Sequence, residues 1–202
     1  MRKPIIIHLF FLIIAGLIYF LGIKGPDLTW NMILALIAYD FALATSKLTK
    51  RLFVYLSAIL WLAFFPNTFY MLTDIIHMVW VGGTLWDQHI MVQYMAFVFS
   101  ILFGVLCGIE SWLLIRRHFR LSWKQVYLIV PILSGISAMA ISIGRYERFN
   151  SWNLVTNPLA VVHTIIDTVS WQRFPFVLGF TFIQILCLIF LDPTEDTPTR
   201  RH

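Results

Sequence analysis

Six apolar runs, at roughly 4–22, 29–46, 51–66, 90–115, 124–143 and 174–191, constrain this chain more than any other feature. Most come close to the ~20 residues a helix needs to cross a hydrocarbon core. Backbone inside lipid has no water to bond with, so it must satisfy its own N–H and C=O groups, and a helix does this within one segment. Composition agrees: 59% of the residues are hydrophobic and 12% charged, about half the charged share of an average soluble domain, with a mean hydropathy of +0.80. The expected fold is all-α: a polytopic membrane protein, one domain over residues 1–202, with no internal repeat or separating linker. The start, MRKPIIIHLFFLIIAGLIYFLG, has the basic opening of a signal peptide, but IKGPD follows without a small-residue cleavage site. It is read as a span that stays in place.

Orientation follows from the cations. Arg2, Lys3, Lys47, Lys50, Arg51, Arg116, Arg117, Arg120, Lys124, Arg200 and Arg201 fall on one side of the six-span arrangement, and Lys24, Arg145, Arg148 and Arg173 on the other. The positive-inside rule then places both termini in the cytoplasm, as an even number of spans requires. The basic residues cluster between spans and form no stripe among exposed aromatics, so no nucleic-acid partner is expected. Cys107 and Cys187 both lie in apolar runs and read as buried free thiols. On the fifth span Ser134, Ala138 and Ser142 recur every four residues, a small-residue face that admits a close neighbouring helix, while Pro131 and Gly135 allow a bend.

Against this background FFPNTFYMLTDIIHM, residues 64–78, stands out. Placed on a helix, Asn67, Tyr70, Thr73, Asp74 and His77 share an arc of about 120°. Pro66 precedes them, so the segment is expected either as a short interfacial helix or as a kinked extension of the third span. An ordinary interfacial helix carries Lys or Arg on its polar face. This one has none, and its groups are suited to hydrogen bonding, coordination or proton exchange.

The second outward stretch is GRYERFNSWNLVTNPLAVVHTIIDTVSW, residues 144–171. Asn157-Pro158 signals a helix start, giving a second short extracytoplasmic helix on which His163, Asp167 and Ser170 share a face. Trp152 and Trp171 are placed as interface anchors. Arg145 and Arg148 stand one turn apart, and their planar forks suit a carboxylate or phosphate.

Four kinds of chemistry fit these residues. A binding, scaffold or accessory protein would use a polar network joining the two outer segments. An enzyme acting on a lipid-linked or phosphate-containing envelope substrate would use Asp74 and His77 with Arg145 and Arg148 as catalytic candidates, and Asn67, Tyr70, Thr73, Asn150, Trp152, His163 and Asp167 as substrate contacts. A proton-coupled transporter would use Asp40 and Glu110, acidic residues inside spans that Lys47, Arg116 and Arg117 are placed to neutralise. No cofactor is expected; a divalent metal on Asp74, His77, His163 and Asp167 is the lesser alternative. The partners that suit the outer face are the bilayer, another membrane protein, or an anionic lipid-linked ligand.

The blocks PNTFYMLTDIIH (66–77) and GRYERFNSWN (144–153) together resemble domain of unknown function family 1361, small bacterial integral membrane proteins. Pro66, Asn67, Tyr70, Thr73 and Asp74 carry the first block; Gly144, Arg145, Arg148, Asn150 and Trp152 carry the second. The resemblance implies a bacterial cell membrane and a single constellation made from both blocks. It implies no particular activity.

Overall fold

The computed structural model describes residues 2–23, 27–81, 87–147 and 173–192, with backbone alone for residues 77–81 and 146–147. Among these residues the chain is almost entirely helical: α1 (Arg2–Phe20), α2 (Leu28–Lys47), α3 (Arg51–Tyr70), a 3₁₀ segment (Met71–Val81), α4 (Gln88–His118), α5 (Trp123–Glu147) and α6 (Phe174–Phe190). Five of these stretches are long and apolar enough to cross a membrane, and α6 is a shorter apolar helix of 17 residues.

Local chemistry sets the helix ends. Asp27 caps α2 by accepting from the Trp30 amide at 3.1 Å, and Asp87 caps α4 by accepting from His89 N at 2.8 Å, each satisfying a first-turn donor. Gly22, at φ +58°, closes α1. Its amide donates to Tyr19 O and that of Ile23 to Ile18 O, the paired bonds of a helix ending in a left-handed residue. Arg120 plays the same part after α4 at φ 50°, with Arg120 N donating to Arg117 O and Leu121 N to Arg116 O.

Pro66 does not end the third helix. α3 runs through it to Tyr70, and the 3₁₀ segment follows directly. Of the two arrangements expected here, the structure shows the extension, not a detached interfacial helix. A proline inside a helix removes one backbone bond, the one its own nitrogen would donate four residues back, and side-chain bonds on neighbouring carbonyls support the turn that follows. Asn67 Nδ2 donates to Phe64 O at 3.0 Å and Thr68 Oγ1 to Phe65 O at 2.7 Å. The expected helix at 157–171, with Trp152, His163, Asp167 and Trp171, lies outside the described residues.

Polar contacts fix which helix ends share a side. Lys3 meets Glu110, and Arg116 pairs with Asp192 just beyond α6. The start of α1, the α2–α3 and α4–α5 junctions and the end of α6 therefore gather at one end, with Lys47, Lys50, Arg51, Arg117 and Arg120. Residues 27–31, 71–81, 87–91 and 145 lie at the other.

Two apolar clusters fill the interior. One joins Trp61, Phe65 and Phe69 of α3 to Trp112, Leu133 and Leu188 of α4, α5 and α6. The other joins Ile18, Met32, Tyr39 and Met71 to Phe97, Phe103 and Cys107. The expected small-residue face of α5 is realised: Ser134, Ala138 and Ser142 are fully buried, and α5 packs closely on α6. Gln184 of α6 reaches across that seam, donating to Ser134 O at 3.3 Å. Gly135 faces open space instead.

A second small-residue face was not anticipated. Gly104 and Gly108 of α4 sit beneath the end of α3, where an added Cβ at position 108 would meet Thr68 Oγ1 at 2.5 Å and Phe69 Cε2 at 2.9 Å. The helix backbones approach closely there, as small-xxx-small pairs permit. Both cysteines are free. Large apolar side chains such as Leu12, Phe20, Leu52, Ile59 and Phe182 face outward, which suits lipid better than water.

Candidate functional site

The switch from α-helix to 3₁₀ geometry at Met71 reorganises the polar stripe. At about three residues per turn instead of 3.6, successive side chains advance by roughly 120° rather than 100°. The stripe therefore does not continue along one helical face as a uniform α-helix would carry it. Its central members turn inward: Thr73 is 8% and Asp74 1% exposed, while Ile75 and Ile76 are 50% and 60% exposed. The polar side meets the bundle and the apolar side meets the surroundings, the reverse of a solvated amphipathic helix.

Asp74 is the centre of this site. A buried carboxylate needs partners to offset lost hydration, and Asn31 supplies one, its Nδ2 donating to Asp74 Oδ2 at 2.9 Å. Asn31 lies one turn into α2, placed there by the Asp27 cap. The Thr73 hydroxyl beside it is buried with no hydrogen-bond partner among the described residues. Close approach to α4 holds the segment in place, because Met71 and Thr68 sit over Gly104. Replacing Asp74 with alanine is expected to cost about 1–3 kcal/mol, through loss of Asn31's acceptor. A lower Tm in detergent would register it, with Asp74→Asn nearer to wild type.

The other proposed members divide. Tyr70 is half-buried against the aromatic cluster of α3 and α4. Asn67 turns an amide back onto its own helix at Phe64. Arg145, in the last turn of α5, is half-buried at the same end of the bundle as Asp74, and α5 packs against α3. The His77 side chain and residues Arg148, Asn150, Trp152, His163 and Asp167 lie outside the described residues. So do three of the four ligands of the metal alternative.

Asn31 escaped the sequence reading. Hydropathy counting treats a single neutral amide in LTWNMILALIAYD as noise, although one Asn near the outer end of a span is the kind of group that bonds across helices. The pairing of the acidic residues inside spans also differs from expectation. Asp40 lies against His8 at 3.3 Å and Glu110 against Lys3 at 2.5 Å, so their partners come from α1 and not from Lys47, Arg116 or Arg117. Arg116 is taken by Asp192 and lies 4.4 Å over the Trp123 ring.

A family model described as protein of unknown function (DUF1361) matches residues 30–187, a range that holds both outward blocks. No curated protein and no solved structure matches the chain.

Proposed function

The chain belongs to the DUF1361 family, and from that premise we propose that it is a binding or accessory protein of the bacterial cell membrane whose polar site opens on the extracytoplasmic side. The observation that carries this reading is Asp74, 1% exposed and bonded to Asn31 at 2.9 Å, at the end of the bundle with the fewest cations. Six spans with both termini inside are the matching topology. α6 begins at that outer end and finishes beside Arg116, and its 17 residues extend about 26 Å, close to the ~30 Å of the hydrocarbon core. The basic residues at the opposite end then face the cytoplasm.

In this reading Asn31, Thr73 and Asp74 form a fixed polar wall, and Arg145 with Arg148 recognises an anionic group on a membrane-borne ligand. A transfer enzyme with Asp74 as base is favoured less, since a general base needs access to the proton it removes. Two measurements test the proposal. In intact cells a membrane-impermeant maleimide should label cysteine at position 88 or 145, and reach positions 50 and 120 only after permeabilisation. Purified protein in nanodiscs should bind farnesyl diphosphate, a lipid-linked diphosphate probe, and Arg145→Ala should weaken binding about tenfold, or ~1.4 kcal/mol. Labelling from the opposite side, or equal binding by the variant, would reject it.

A further inference from the structure

A second set of ionisable groups gathers near the basic end of the bundle, between α1, α2 and α4. Lys3 Nζ lies 2.5 Å from Glu110 Oε1, and His8 Nε2 lies 3.3 Å from Asp40 Oδ1. Tyr39 of α2 and Cys107 of α4 stand within electrostatic range of both carboxylates. Asp40 is seven residues inside Lys47, the end of α2, or about 10 Å along the helix. That depth puts the pair within the apolar layer, where an unpaired charge is costly.

The other ring nitrogen of His8 decides the proton count. His8 Nδ1 lies 2.9 Å from the Pro4 carbonyl oxygen. A carbonyl only accepts, so Nδ1 carries a hydrogen. Nε2 therefore faces the Asp40 carboxylate from a ring whose one neutral-state hydrogen is already committed. With no further proton, two acceptors would oppose each other and Asp40 would stand as a bare anion. One additional proton between Nε2 and Oδ1 removes both difficulties. It makes the pair net neutral, whether written as imidazolium with carboxylate or as imidazole with carboxylic acid.

We propose that His8 and Asp40 form a membrane-embedded proton-binding site that fastens α1 to the bundle, so that α1 docks with the proton bound and loosens when it leaves. Release separates the pair into neutral His8, anionic Asp40 and a free proton. The fold makes such a fastening matter. Ile18 is the one buried residue of the 19 in α1, and its aromatic contact with α4 is Phe11 on Phe103 at 6.1 Å between ring centres. The Lys3–Glu110 pair does not share this proton and tethers the start of the helix in either state.

The test uses full-length protein in nanodiscs. With ¹⁵N-histidine labelling, the His8 signals are identified by their loss in His8→Gln. While α1 is docked, both His8 ring nitrogens should read as protonated in the wild type, and one only in Asp40→Asn. In parallel, spin labels replace the lipid-facing Leu12 and Leu56 in a background with Cys107 and Cys187 changed to alanine. The distance distribution should be narrow while both ring nitrogens are protonated and broaden as the pH is raised and His8 loses one proton. A wild-type His8 with a single protonated nitrogen while the distance distribution is narrow overturns the proposal. So does a distance distribution unchanged when His8 loses its second ring proton. These wild-type readings are decisive even if Asp40→Asn does not fold.

Discussion

Arg116→Ala is expected to remove about 3–5 kcal/mol of stability, the usual cost of leaving one member of a buried ion pair behind. Arg116 and Asp192 are 5% and 8% exposed, and they tie the end of α4 to the second residue beyond α6. The guanidinium also lies over Trp123 at the start of α5, so one side chain joins three helices at the basic end. Thermal or SDS unfolding would read the loss. The pair is not irreplaceable on energetic grounds, because desolvating two charges cancels much of their attraction. The double variant Arg116→Met with Asp192→Leu should recover most of what Arg116→Ala loses. If the single variant melts with the wild type, the buried pair is not holding α6.

The second large effect is expected at Gly108. A methyl group there would stand 2.5 Å from Thr68 Oγ1 and 2.9 Å from Phe69 Cε2, both on residues with no exposure at all. Neither neighbour has room to give, so α3 and α4 must move apart. Overpacking of this kind costs about 1–3 kcal/mol, and Gly108→Leu should exceed Gly108→Ala. The separation would also shift the 3₁₀ segment, so hydrogen exchange should rise at Thr73 and Asp74 along with the fall in Tm. Gly135→Ala is the control. That position opens onto free space, and removing a helical glycine should instead gain about 0.5–1 kcal/mol. Equal losses at 108 and 135 would show that helix approach is not what Gly108 serves.

The helices were legible because each is an apolar run, five of them long enough to cross a membrane and α6 shorter. The serine face of α5 was legible because its period is regular. Other features depend on partners far away in sequence. Asn31 meets Asp74 across 43 residues, and no periodicity within α2 announces that. Gly104 and Gly108 have the same spacing as Ser134 and Ala138, yet they sit in a run so apolar that their small size does not register in a hydropathy count. Pro66 left two arrangements open for a different reason. The clash between a proline ring and the residue before it disfavours a helix there without forbidding one, and in a membrane helix neighbouring side chains such as the Asn67 amide and Thr68 hydroxyl can bond nearby carbonyls. Asp40 and Glu110 were recognised as needing countercharges, but depth alone could not show that α1 supplies them.

That source has a consequence for how the protein is made. α1, which holds Lys3 and His8, leaves the ribosome ahead of the acidic residues paired with them, on α2 and α4. Each carboxylate thus meets a partner side chain already in place and need not enter the lipid as an isolated charge. A chain synthesised without α1 should stall at those two insertion steps, even though residues 30–187 carry the whole stretch matched to its family.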